Sequence, residues 1–108
     1  MSRIFAFVVA FTLVGSSAFA QSAVEKGKTV YTAQKCSICH SIGGVGNKKG
    51  EMDHVAAKLS ADDIRAWITD APAMAAKSKA ERKPPMKAYT TLTKDEVDSL
   101  VAYLQTLK

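Results

Sequence analysis

The chain has 108 residues, 47% of them hydrophobic and 23% charged, which fits one globular domain and excludes a disordered or fibrous polypeptide. Its two cysteines exclude a multi-disulfide framework. A net charge of +5 without a concentrated basic stripe argues against a nucleic-acid partner and leaves an acidic protein surface as the natural counterpart.

The first element is a leader. Arg3 supplies an early positive charge, Ile4 to Val14 is apolar except for Thr12, and Gly15-Ser16-Ser17 leads into Ala18-Phe19-Ala20. A charged start, a short apolar run and an A-x-A site predict a secretory signal peptide over residues 1–20, cut between Ala20 and Gln21. A membrane anchor would need about 20 apolar residues, more than this run offers before its Gly/Ser break. The expectation is export to the periplasm, leaving a soluble, monomeric domain over residues 21–108. A domain of that size buries a limited core and gains from a covalent or cofactor reinforcement.

Ser22-Ala23-Val24-Glu25 is an S-x-x-E capping box and predicts a helix start at Ser22. Val24, Gly27, Lys28 and Tyr31 follow at helical spacing. Next comes Cys36-Ser37-Ile38-Cys39-His40, the C-x-x-C-H attachment sequence for c-type haem. Two thiols three positions apart reach the two vinyl groups of one porphyrin edge and form thioethers. His40 is then held beneath the iron, where a neutral imidazole nitrogen is a good axial ligand. A thioredoxin-like dithiol would need a βαβ setting, and a zinc site four ligands, where the chain has two Cys and two His. A Cys36–Cys39 disulfide would leave His40 unexplained.

A glycine-rich loop, Gly43-Gly44-Val45-Gly46-Asn47, separates this motif from a second helix. That helix is announced by Ser60 three residues before Asp63, with Leu59 and Ile64 as a hydrophobic staple. Ile64, Trp67 and Ile68 form its apolar face, and Pro72 marks its end. A basic, proline-containing loop spans Lys77 to Lys87. The last helix starts at Thr93-Lys94-Asp95-Glu96, with Leu92 and Val97 as staple. Val97, Leu100, Val101, Leu104 and Leu107 continue it as an amphipathic stripe. No segment alternates as a strand would, so the fold class is all-α with three main helices.

In these motifs the chain resembles the class I cytochromes c, over the whole of residues 21–108. The resemblance implies that fold, wrapped around one covalently attached haem c. It also implies a helix crossing in which Gly27 and Tyr31 meet Leu100 and Tyr103. In the family a glycine-proline pair follows the haem loop, and the proline carbonyl orients the axial histidine. The pair here is Gly50-Glu51, which gives that task to Glu51. The interval from Tyr31 to Cys36 is one residue longer than is common, so the first helix should end irregularly near Gln34-Lys35.

The family's sixth iron ligand is a methionine in a late loop. Met1 leaves with the leader, Met52 lies too near His40 to cross to the opposite haem face, and Met74 sits beside the end of the Trp67 helix. Met86 follows Pro84-Pro85, which stiffen the loop, and its proline-methionine-x-x-aromatic setting resembles the ligand loop of small bacterial members. Met86 is the expected ligand, with Met74 and His54 as alternatives. His54 otherwise reads as a surface histidine, while Trp67 serves either a haem propionate or the core.

The resemblance makes the chain an electron carrier, not an enzyme, moving single electrons between larger redox proteins. Lys77, Lys79, Arg82, Lys83 and Lys87, with Lys48 and Lys49, would form a basic rim that steers it to acidic docking surfaces. A haem-based gas-binding module and a dedicated subunit of an oxidoreductase complex remain alternatives.

Overall fold

The computed structural model describes residues 15–108. Among the described residues, five α-helices run in chain order: α1 Gly15–Ala33, α2 Val55–Lys58, α3 Ala61–Thr69, α4 Ala71–Ser78 and α5 Lys94–Leu104. The two long ones, α1 and α5, cross, and α3 packs beside α5. Val30 of α1, Ile64 and Ile68 of α3, and Val97, Leu100, Val101 and Leu104 of α5 close a single core. Ala71 at the start of α4 is buried too.

The crossing is close because one residue has no side chain. A Cβ on Gly27 would fall on the Ser99 carbonyl oxygen and the Tyr103 Cβ, so only glycine lets the helices meet there. One turn on, the Tyr31 and Tyr103 rings pack edge to face, with centroids 5.9 Å apart and planes at 83°. Leu100 is buried beside them. This is the contact that the family resemblance implied.

The expected helix starts at Ser60 and Thr93 are both present. Ser60 Oγ accepts from the Asp63 amide at 3.1 Å. Thr93 and Glu96 form a reciprocal capping box, with bonds of 3.0 and 3.2 Å. Arg65 and Lys94 share the Asp98 carboxylate at 2.6 and 2.9 Å, joining α3 to α5.

Three expectations need correction. The start at Ser22 is overridden, because α1 runs unbroken from Gly15. With Ala18 to Gln21 attached, preceding carbonyls already serve the amides that a Ser22–Glu25 box would satisfy. Residues 1–14 of the expected leader lie outside the described residues. Pro72 does not simply end a helix: α3 stops at Asp70, and Pro72 stands in the first turn of α4, where its missing N–H costs nothing. The basic loop therefore begins only at Lys79, a left-handed residue capping α4. Finally, Ser41–Ile42 and Val45–Gly46 form a two-stranded antiparallel hairpin, β1 and β2, where no strand was expected. Gly43 and Gly44 turn it at positive φ.

Candidate functional site: the C-x-x-C-H turn and its frame

The motif follows α1 directly. The helix ends at Ala33, and Lys35 adopts a left-handed conformation at φ 56°, the irregularity expected near Gln34-Lys35. That reversal launches a 3-10 turn over Cys36–Ile38, which sets Cys36 and Cys39 on one tight loop. Both thiols are free and half-buried. The Cys36 thiol is pushed up to about 11, chiefly by burial and then by the neighbouring Cys39, with Lys87 acting against the rise.

His40 is fixed by one bond. Its Nδ1 donates to the Gly50 carbonyl at 2.9 Å, which sets the tautomer and leaves the Nε2 lone pair free. Burial holds the imidazole below its ordinary pKa; the Gly50 bond opposes that shift and the Arg82 charge adds to it. The ring is therefore neutral at neutral pH, the state in which imidazole binds a metal. The carbonyl belongs to Gly50 and not to Glu51, the residue the family pattern had indicated. The reason is steric: a Cβ at residue 50 would strike the Cys39 carbonyl and the Arg82 guanidinium and lie 2.8 Å from His40 Nδ1. Only glycine brings its carbonyl that close.

Two neighbours hold the turn, and neither was singled out in the sequence. The Asn47 amide donates to the carbonyls of both Ser37 and His40 at 3.0 Å. Its side-chain amide donates to the Ile38 carbonyl at 3.2 Å. Gly46, at φ 108°, makes room for this approach, since a Cβ there would meet the His40 carbonyl. The signal was present as Gly46-Asn47, a dipeptide suited to a left-handed, side-chain-capped bend.

Met86 is half-buried on the loop between α4 and α5. Tyr89, three residues on, is tied to the end of α3 by a 2.8 Å bond from its amide to the Ile68 carbonyl. The Tyr89 hydroxyl is raised in pKa by burial and then by Cys36 and Cys39. The loop that carries Met86 thus places its aromatic residue within electrostatic reach of the two thiols. Met52 packs on the core, and Met74 lies half-buried in α4. His54 is exposed, with Nδ1 3.1 Å from the Lys108 carbonyl. Trp67 faces a hollow of about 430 Å³ that begins at Glu51 and is also lined by Val55 and Leu59.

These residues fit a covalently held haem. The thiols are paired and unbonded, the histidine presents one free nitrogen, and half-buried Met86 and Tyr89 stand together on one loop. The Tyr31 hydroxyl is buried without a hydrogen-bond partner, and burial is the main cause that raises its pKa. Among the described residues no three His, Cys, Asp or Glu side chains gather as a metal-binding group, so zinc has no ligand set.

The sequence model of the family described as "Cytochrome c" matches residues 24–108, and the chain belongs to that family. The protein therefore carries haem c, covalently attached and with its iron, and is an electron-transfer haem protein. Among curated proteins it is similar to "Cytochrome c oxidase subunit 2" of Alkalihalophilus pseudofirmus, at 27% identity over 97 residues. That alignment takes in 82% of this chain and only 27% of the relative. No solved structure matches.

Proposed function

We propose that the protein is a periplasmic carrier of single electrons between larger redox proteins, with haem bound through Cys36 and Cys39 and ligated by His40 and Met86. The observation that carries this reading is the bond from His40 Nδ1 to Gly50, which aims a neutral imidazole with its other nitrogen free. Haem iron supplies the one-electron couple when bound. The chain's own residues do the rest. Cys36 and Cys39 anchor the group, Gly50 orients His40, and Pro84-Pro85 stiffen the approach of Met86. His40 and Met86 would both ligate the iron, which would leave no open position for a substrate, and a thioether ligand would raise the potential. No helix among the described residues is long and apolar enough to cross a membrane. Removal of residues 1–20 would release the domain.

The likeness to an oxidase subunit favours one second reading, that the same domain serves a single fixed partner within a complex. Fractionation of the expressing cell separates the two. A free carrier is released with the periplasmic contents and elutes as a monomer that binds no carbon monoxide when reduced. Haem that stays with a membrane oxidase through purification would establish the subunit reading instead.

A further inference from the structure

Arg82 stands among cations that the sequence assigns to a docking rim, and its surroundings set it apart from them. Its guanidinium lies against the backbone of Gly50, so closely that a Cβ there would collide with Nη1. The same Gly50 carries the carbonyl that holds His40. Lys87, from the same loop, is placed differently. Its charge is felt at Cys36, and its Nζ rests 5.2 Å from the centre of the Tyr89 ring. The loop therefore sets Lys87 within electrostatic reach of Cys36 and Arg82 against Gly50, where the Cys39 carbonyl and the His40 ring also converge. Arg82 has no carboxylate partner among the described residues, whereas Arg65 and Lys94 share Asp98, and Lys26 pairs with Asp95. One residue past Gly50 the chain enters the hollow faced by Trp67.

Haem c is chemically two-ended. One edge takes the thioether bonds, and the far edge carries two propionate carboxylates. With Cys36 and Cys39 gripping the first edge, the propionates would lie at the edge opposite the thiols. A carboxylate there needs a cation, and a guanidinium offers it two parallel N–H donors. We propose that Arg82 pairs with a haem propionate, which makes it a cofactor-binding residue and not part of the docking rim. The proposal rests on Cys36, Cys39 and His40 as the residues that hold the haem. It also gives Gly50 a second task, since the missing side chain leaves the space in which Arg82 lies.

The two roles predict different losses. A rim cation acts by long-range steering, so its removal slows association and weakens the salt dependence. A propionate partner acts on the iron. Without it, an uncompensated negative charge stays near the haem, favours the ferric state and lowers the potential.

The test uses the exported, haem-loaded protein and its Arg82→Gln, Arg82→Lys and Lys77→Gln variants. Midpoint potential and the propionate bending band in the resonance Raman spectrum are read for each. Arg82→Gln should move the band and lower the potential. Arg82→Lys should keep the potential near wild type while the band moves part of the way, because a lysine is a point charge without the fork. Lys77→Gln should leave both where they were. A band at the wild-type position in Arg82→Gln overturns the pairing, whatever the potential does. Should that variant not load haem, an unmoved band in Arg82→Lys overturns it equally. A failure of haem attachment or of histidine ligation would show in the wild-type optical spectrum, separately from any effect of Arg82.

Discussion

Gly50 occupies a point where a backbone carbonyl, an imidazole and a guanidinium converge on the space a side chain would fill. Gly50→Ala should therefore destabilise the haem-loaded protein by about 1–3 kcal/mol, as overpacking of a close contact does. The denaturant midpoint measures it, and an unchanged midpoint would mean that Arg82 and the turn simply step aside. Tyr31 makes a different residue-scale claim. With the Cys36 thiol free, folding raises the Tyr31 hydroxyl from 10.0 to about 12, first through burial, then through Cys36 and Tyr103. Above pH 10 the unfolded chain releases this proton while the folded chain keeps it, so stability is full below pH 10 and declines as pH climbs towards about 12. Tyr31→Phe removes the titrating group, and its loss of stability across that window should be smaller than that of wild type. Equal losses in unfolding experiments on the two proteins would place the alkaline sensitivity elsewhere.

At the level of elements, the crossing of α1 and α5 depends on Gly27. Because the obstacle is the Ser99 carbonyl of the facing backbone, no rotamer change relieves it. Gly27→Val should lower stability by about 1–3 kcal/mol or more; a midpoint equal to wild type would show the helices free to separate there. This contact was legible because the resemblance supplied both pairs of residues and the spacing matched. The starts of α3 and α5 were legible for a local reason: Ser60 and Thr93 each carry their acid three residues on and a staple around it. At Ser22 the same rule concerns the chain cut after Ala20, whereas in the uncut chain upstream residues continue the helix. Pro72 misled, since a proline that stops one helix also starts the next. The hairpin at Ser41–Gly46 left no periodic trace because strands of two residues cannot alternate. In the candidate site, the placing of Cys36, Cys39 and His40 on one turn was legible from the motif alone. The contacts of Asn47 and Arg82 were not, because only the fold brings them against the backbone of the motif and of Gly50.

For the whole molecule, one covalently held haem reinforces a small core. The 88 residues from Gln21 to Lys108 should appear in intact-mass analysis after acid denaturation as one species carrying one haem. Haem extracted by acidic organic solvent would contradict covalent attachment, and retention of residues 1–20 would contradict the leader. Cleavage would also expose Ser22 as the first residue able to cap α1, which the uncut chain does not need. The central claim is that His40 and Met86 together close the iron's axial positions. The direct measurement compares Met86→Ala with Met74→Ala by the far-red absorption band of sulfur–ferric iron coordination and by carbon monoxide binding to the reduced protein. Met86→Ala should lose the band and bind carbon monoxide, while Met74→Ala keeps the band and stays unreactive. A band that survives in Met86→Ala and disappears in Met74→Ala would contradict the assignment.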